Sequence, residues 1–240
     1  MIGLSTLIIA GLIFGPWLGD APKLALIIDD LGRNRRAFEE ITSLGIPLSL
    51  SFLPDAPFSK AEAETARSKG FDVMLHLPME PHGYPEEDPG EMAVLCRMTD
   101  EEIAETVERA LLRVPGAVGV DNHMGSKATE DPRVMRAVLS VLKRRGLFFL
   151  DALTTPKSVG YKLAREMGVP TAHNDLFIDN SRDEEAILKA IHRLSRIALR
   201  RGYAIGIGHP YPETIRAIRK AAPVVGSKGI RFAKISELVR

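Results

Sequence analysis

Short apolar runs alternate with longer stretches of helical periodicity along almost the whole chain, and this rhythm restricts the possible folds more than any other feature. The strand-like runs are Leu24–Ile28, Pro47–Phe52, Asp72–Leu75, Ala117–Val120, Leu147–Leu150, Leu176–Ile178, Ala204–Ile207 and Ile230–Ala233. Between them the spacing predicts helices over Arg35–Ser43, Lys60–Lys69, Asp100–Arg113, Pro132–Arg145, Val159–Met167, Asp183–Arg201 and Pro212–Ala221. Thr99-Asp100-Glu101-Glu102 and Asp131-Pro132 are helix starts, and Gly45, Gly70, Gly146, Gly168 and Gly202 are helix stops. Strands that alternate with helices imply parallel pairing through right-handed crossovers. Seven or eight such units in about 218 residues suit an α/β fold, a closed (β/α) barrel near its lower size limit. A doubly wound open sheet is the alternative. No repeat or low-complexity tract divides residues 23–240, so one domain is expected.

Residues 1–22 differ in character. Ile2 to Leu18 carry no charge and are mostly Leu, Ile, Gly and Ala. The length lies between a signal-peptide core and a full membrane span. No Lys or Arg precedes the run, and Gly19-Asp20-Ala21 is a poor cleavage site before Pro22. The expectation is an exported protein with a signal peptide or an uncleaved anchor, either periplasmic or attached to the inner membrane and facing the periplasm. A buried core helix of a cytosolic protein is the alternative. The net charge of +1 supplies no electrostatic case for nucleic acid, and the single cysteine, Cys96, allows no internal disulfide.

Polar residues recur where the strand-like runs stop. Asp29-Asp30 follow the first, His76 the third, Asp121-Asn122-His123 the fourth, Asp151 the fifth, Asp179-Asn180 the sixth and His209 the seventh. Parallel α/β folds keep their active sites at the carboxyl ends of strands. Two adjacent carboxylates are costly to ionise together without a cation or a shared proton. With His76 and His123, Asp30 makes a two-histidine, one-carboxylate set that leaves positions on a divalent ion for water and substrate. Alone, each histidine reads more readily as a hydrogen-bonded core residue. His209, between Gly208 and Pro210, reads as a turn residue or as a general acid, since a histidine's ordinary pKa of about 6.5 suits proton donation. Asp151 reads as a substrate contact, as an orienting group or as a cap for the following helix. Asp179-Asn180 reads as the start of a helix. The long loop His82–Met98, rich in Pro, Glu and Gly, follows the third strand and is a candidate functional loop. No phosphate-binding glycine loop, nucleophile elbow or His-Glu-x-x-His helix is present.

Together, Ile27-Ile28-Asp29-Asp30-Leu31-Gly32, His76-Leu77-Pro78-Met79-Glu80-Pro81, Asn122-His123-Met124-Gly125-Ser126, Leu150-Asp151 with Thr154-Thr155, and Ile207-Gly208-His209-Pro210 resemble the divergent polysaccharide deacetylase family, a distant branch of the NodB-like carbohydrate esterases. The resemblance runs from about Lys23 to the C-terminus. It implies a NodB-like, irregular (β/α) barrel, export to a bacterial envelope, and a metal-dependent hydrolase that removes acetyl groups from an envelope or extracellular glycan. It assigns Asp29 as base, His209 as acid, and Asp30, His76 and His123 as metal ligands. Glu80 is the runner-up ligand, because it occupies the partner position of the usual His-x-x-x-His loop. Asp151 and Asn122 are expected to contact substrate, although Ala152-Leu153 stand where relatives often carry a basic residue. Mixed histidine and carboxylate donors suit Zn best, with Mn, Fe, Co and Ni compatible. Two other readings share the same residues: a non-catalytic envelope protein that binds a glycan or a partner, and a metal hydrolase of a non-carbohydrate amide or ester.

Overall fold

The computed structural model describes residues 20–240. The apolar segment Ile2–Leu18, on which the expectation of a signal peptide or anchor rests, lies outside the described residues. No helix among the described residues is long and apolar enough to cross a membrane.

The order of elements is β1 (Lys23–Leu31), α1 (Arg35–Thr42), β2 (Ser49–Phe52), α2 (Ser59–Ser68), β3 (Asp72–Met79), α3 (Asp100–Arg113), β4 (Gly119–Met124), α4 (Pro132–Arg145), β5 (Phe148–Asp151), α5 (Gly160–Met167), β6 (Thr171–His173), β7 (Leu176–Phe177), α6 (Glu184–Arg201), β8 (Tyr203–Gly208), α7 (Pro212–Ser227) and β9 (Arg231–Ala233). The strands form one sheet in the order β6-β5-β4-β3-β2-β1-β8-β7, with β9 also paired to β1. Every ladder is parallel.

The wall closes in an unusual way. The two ends of the strand order, β6 and β7, are separated in the chain only by Asn174 and Asp175. The Asn174 amide donates to the carbonyl of Asp151 on β5 (2.9 Å), and the next amide, of Asp175, donates to the carbonyl of Ile205 on β8 (3.0 Å). One segment thus changes partner midway and joins both edges, which makes the sheet an irregular (β/α) barrel and not an open doubly wound sheet. Where β6 and β8 part, a cavity of about 500 Å³ remains between Tyr161, His173, Tyr203 and Leu238. Arg240 partly fills the seam by exchanging backbone hydrogen bonds with Thr171 (3.0 and 3.3 Å).

Strand alternation sorts the apolar side chains into two layers. Ala25, Ile27, Met74, Phe148, Leu150, Ala172, Ile205 and Ile207 pack together inside the barrel. Leu24, Leu26, Ile28, Leu50, Phe52, Leu75 and Phe149 pack outward, under the helices. This parity decides which polar residues at the strand ends face the mouth.

Most elements lie within one or two residues of their expected limits, with three differences. β1, β3 and β4 continue three or four residues into the polar stretches, so Asp30, His76 and His123 lie within strands and not beyond them. β6 precedes the strand expected at Leu176, because Thr171-Ala172-His173 is too short to show a period. Helix α7 runs through Pro223 to Ser227, past its expected end at Ala221.

Candidate metal centre

Adjacent residues of a regular strand point to opposite faces, yet Asp29 and Asp30 both reach one imidazole. The backbone explains this. The β1–β2 register shifts between Ile28 and Leu31, and Asp30 adopts a left-handed φ of 55°. Such a bulge re-aims a side chain. Asp30 Oδ1 comes to 3.4 Å from His76 Nε2, and Asp29 Oδ2 to 3.7 Å from the same nitrogen. Two other non-glycine residues, Met124 (φ 53°) and Leu153 (φ 54°), are also left-handed, at the ends of β4 and just past β5. Strain of this kind gathers at functional sites.

His76 and Asp121 are register partners on β3 and β4, and His123 lies two residues further along the same face. His123 Nδ1 is 3.1 Å from His76 Nε2 and 3.1 Å from Asp30 Oδ1. The three donor atoms therefore form a triangle with edges of 3.1 to 3.4 Å. A tetrahedral ion with bonds of ~2.0–2.1 Å sets its ligand atoms roughly 3.3 Å apart. Asp30 Oδ1 is also buried with no hydrogen-bond partner. The donor set and its spacing thus fit a divalent cation.

The electrostatics separate the two carboxyls. Burial works against charge on Asp30, but His123 and His76 hold its carboxyl well below the usual carboxylate range. Burial and then Asp121 push the Asp29 carboxyl well above that range. Burial opposes charge on His76, yet Asp29 and Asp121 keep its imidazole well above the ordinary histidine value. Burial lowers His123 below it.

His209 closes the mouth from β8. Its Nδ1 and its backbone amide both bond to Asp179, at 2.9 and 2.6 Å, and Thr214 donates to the same carboxylate at 2.7 Å. The imidazole lies between the rings of Phe177 and Tyr211, at 6.4 and 5.4 Å, and Arg182 covers the far face of Tyr211. Held this way, Nε2 is 4.0 Å from Asp30 Oδ2. Asp179, read from the sequence as the start of a helix, is the group that orients His209. Asp179 follows β7, which pairs with β8 only in the folded sheet, so the sequence offered no direct signal for the pairing.

The remaining candidates lie outside the triangle. Asp151 follows inward-facing Leu150 and so points outward, where its oxygens accept from the Leu153 amide, the Ser158 hydroxyl and the Tyr161 amide. Asn122 accepts from the Ala152 amide and donates to the Met124 carbonyl, tying the loop after β5 to the end of β4. Glu80 takes the Lys127 ammonium at 2.6 Å and the Cys96 amide at 2.5 Å, which pins the long loop after β3. The sequence reading missed Asp121, buried beside His76. The polar cluster Asp121-Asn122-His123 signalled it, but only the strand parity shows that Asp121 and His123 share a face.

The profile of the divergent polysaccharide deacetylase family matches residues 26–239. An uncharacterized protein of Haemophilus influenzae is 34% identical over 197 residues, 82% of this chain and 70% of its own length. The uncharacterized protein YibQ of Escherichia coli is 35% identical over 201 residues, 83% of this chain and 62% of its own. The chain therefore spans about two thirds of these relatives. Among solved structures, an uncharacterized protein of Agrobacterium tumefaciens superimposes with a TM-score of 0.87 at 27% identity, covering 93% of this chain and 92% of that one. A family 4 carbohydrate esterase from Streptomyces lividans, solved with acetate, shares the fold at a TM-score of 0.56 and 14% identity, covering 89% of this chain and 93% of its own.

Proposed function

The chain belongs to the divergent polysaccharide deacetylase family, and from that membership we propose that it is a metal-dependent hydrolase that removes acetyl groups from a glycan of the bacterial envelope. The observation that carries this reading is the triangle of Asp30 Oδ1, His76 Nε2 and His123 Nδ1, with edges of 3.1 to 3.4 Å. These three residues would hold the ion, with Zn the best match to the donors. A bound divalent ion supplies Lewis acidity to an acyl oxygen and acidifies water.

The chain's own residues supply the proton transfers. Asp29 lies against His76 on the inner side of the triangle, which places its carboxylate beside the ion these residues would hold. It would take the proton from the attacking water. His209, whose Nε2 faces Asp30, would give a proton to the leaving nitrogen. Asp179 holds the other ring nitrogen and so fixes which one is presented. In the same reading, the N-terminal apolar segment delivers the protein to the envelope.

The test is acetate release from a panel of acetylated glycans by Zn-loaded protein, with Asp29→Asn as control and metal content measured for His76→Ala and His123→Ala. Expected are acetate release by the parent, a loss of at least a hundredfold in Asp29→Asn, and no stoichiometric Zn in either histidine variant. A second reading draws on the depth of Asp29, which is only 1% exposed behind His76. A base so enclosed favours a non-catalytic glycan-binding protein, which would bind Zn but release no acetate.

A further inference from the structure

Beneath the ligand triangle lies a second layer of polar groups to which the deacetylase reading gives no role. Ser51 on β2, Asp121 on β4 and His76 on β3 between them are each no more than 2% exposed. The Ser51 hydroxyl donates to Asp121 Oδ1 at 2.5 Å, across the inside of the barrel and under β3. The same oxygen stands 3.2 Å from His76 Nδ1, within ion-pair reach but off the line of a hydrogen bond, so that this buried nitrogen has Asp121 as its facing group and no hydrogen-bonded partner. The two faces of the imidazole therefore differ completely. Nδ1 looks down onto Asp121, whereas Nε2 looks up at Asp30 Oδ1 and His123 Nδ1. Asp29 Oδ2, at 3.7 Å from Nε2, is too distant for a hydrogen bond.

A neutral imidazole has one proton and one lone pair to place, and its partners decide where each goes. We propose that Asp121, braced by Ser51, is a positioning residue that keeps the His76 proton on Nδ1 and so commits Nε2 to the metal. This rests on the metal-centre reading and adds to it the group that sets the affinity. A carboxylate behind a ligating histidine orients the ring and raises its basicity, and losing such a partner costs roughly 10- to 100-fold in metal affinity. Ser51 has a defined part in this. Its hydroxyl holds the carboxylate in one rotamer, since among the described residues Asp121 touches no Lys or Arg within ion-pair distance.

The test measures Zn affinity by chelator competition, together with long-range ¹⁵N–¹H spectra of the Zn-loaded protein, for the parent, Asp121→Asn and Ser51→Ala. Asp121→Asn is expected to weaken Zn binding roughly 10- to 100-fold and to shift the His76 ¹⁵N pattern, because the carboxamide can turn an N–H toward Nδ1. Ser51→Ala is expected to weaken Zn binding less while keeping the proton on Nδ1. It remains informative if Asp121→Asn does not fold. Parent-like affinity with an unmoved His76 pattern in a folded Asp121→Asn, or parent-like affinity in Ser51→Ala should that variant stand alone, would overturn the proposal and leave the metal centre standing. A parent protein that binds no Zn would overturn both.

Discussion

Glu62 on α2 is 5% exposed, and neither of its carboxylate oxygens has a hydrogen-bond partner. Burial raises its pKa from 4.5 to about 7, against the partial counterweight of the Gly32 backbone and then of Arg35. Below 4.5 the carboxyl is protonated in both folded and unfolded chains, and between there and about 7 only the folded chain keeps the proton. The folded state then binds more protons than the unfolded one, so stability falls as pH rises through that window and stays lower above it. Glu62→Gln should therefore stabilise the protein by about 1 to 2 kcal/mol near pH ~8 and by nothing near pH ~4, read from denaturant midpoints. At this scale the sequence pointed to Asp30, His76 and His123 as a set, because polar residues recurring at several strand ends fall at one mouth, whereas each histidine singly reads more readily as a core residue. It was less readable for Asp151 and Asn122. Their residue types suit a substrate contact, but alternation from Leu150 turns Asp151 toward α5, and no spacing rule reveals that without the strand's inner face. Asp29 and Asp30 were a harder case, since their convergence on His76 depends on a left-handed residue that composition does not announce.

Helix limits were legible where a cap names them. α3 begins after a capping box of Thr99 and Glu102, and α4 begins after Asp131 and stops at left-handed Gly146 (φ 65°); both match their expected ranges. β6 was not legible, because three residues carry no measurable period and its order comes from β5. Pro223 misled at the other end, since a proline tends to stop a helix, yet Val225 beyond it is fully buried against the core. Inside the barrel, Gly119 at the start of β4 serves a neighbouring strand. A Cβ there would stand 2.1 Å from the Phe148 ring. Gly119→Ala should cost about 1 to 3 kcal/mol, because the ring cannot shift without disturbing the packed interior. Thermal unfolding would register it as a lower midpoint at unchanged metal stoichiometry.

The three donor atoms come from β1, β3 and β4, so only the assembled barrel brings them within bonding distance of a common point. An ion that binds only the folded chain stabilises it by mass action, about 2.7 kcal/mol at a free concentration 100-fold above Kd. Zn should raise the melting temperature, chelation should reverse the rise, and His76→Ala should abolish it. An unchanged midpoint on adding Zn to the parent would remove the metal from the account. The closed wall has another result. β1 is flanked by β8 from Lys23 to Ile28, and on its other side first by β9 and then by β2. Two of those three neighbours lie in the final quarter of the chain. Synthesis therefore yields the central stave well before β8 and β9, two of its three neighbours. The nascent polypeptide must carry the unpaired apolar edge Leu24–Ile28 until residues 203–233 have emerged, an interval in which an exposed strand edge invites aggregation.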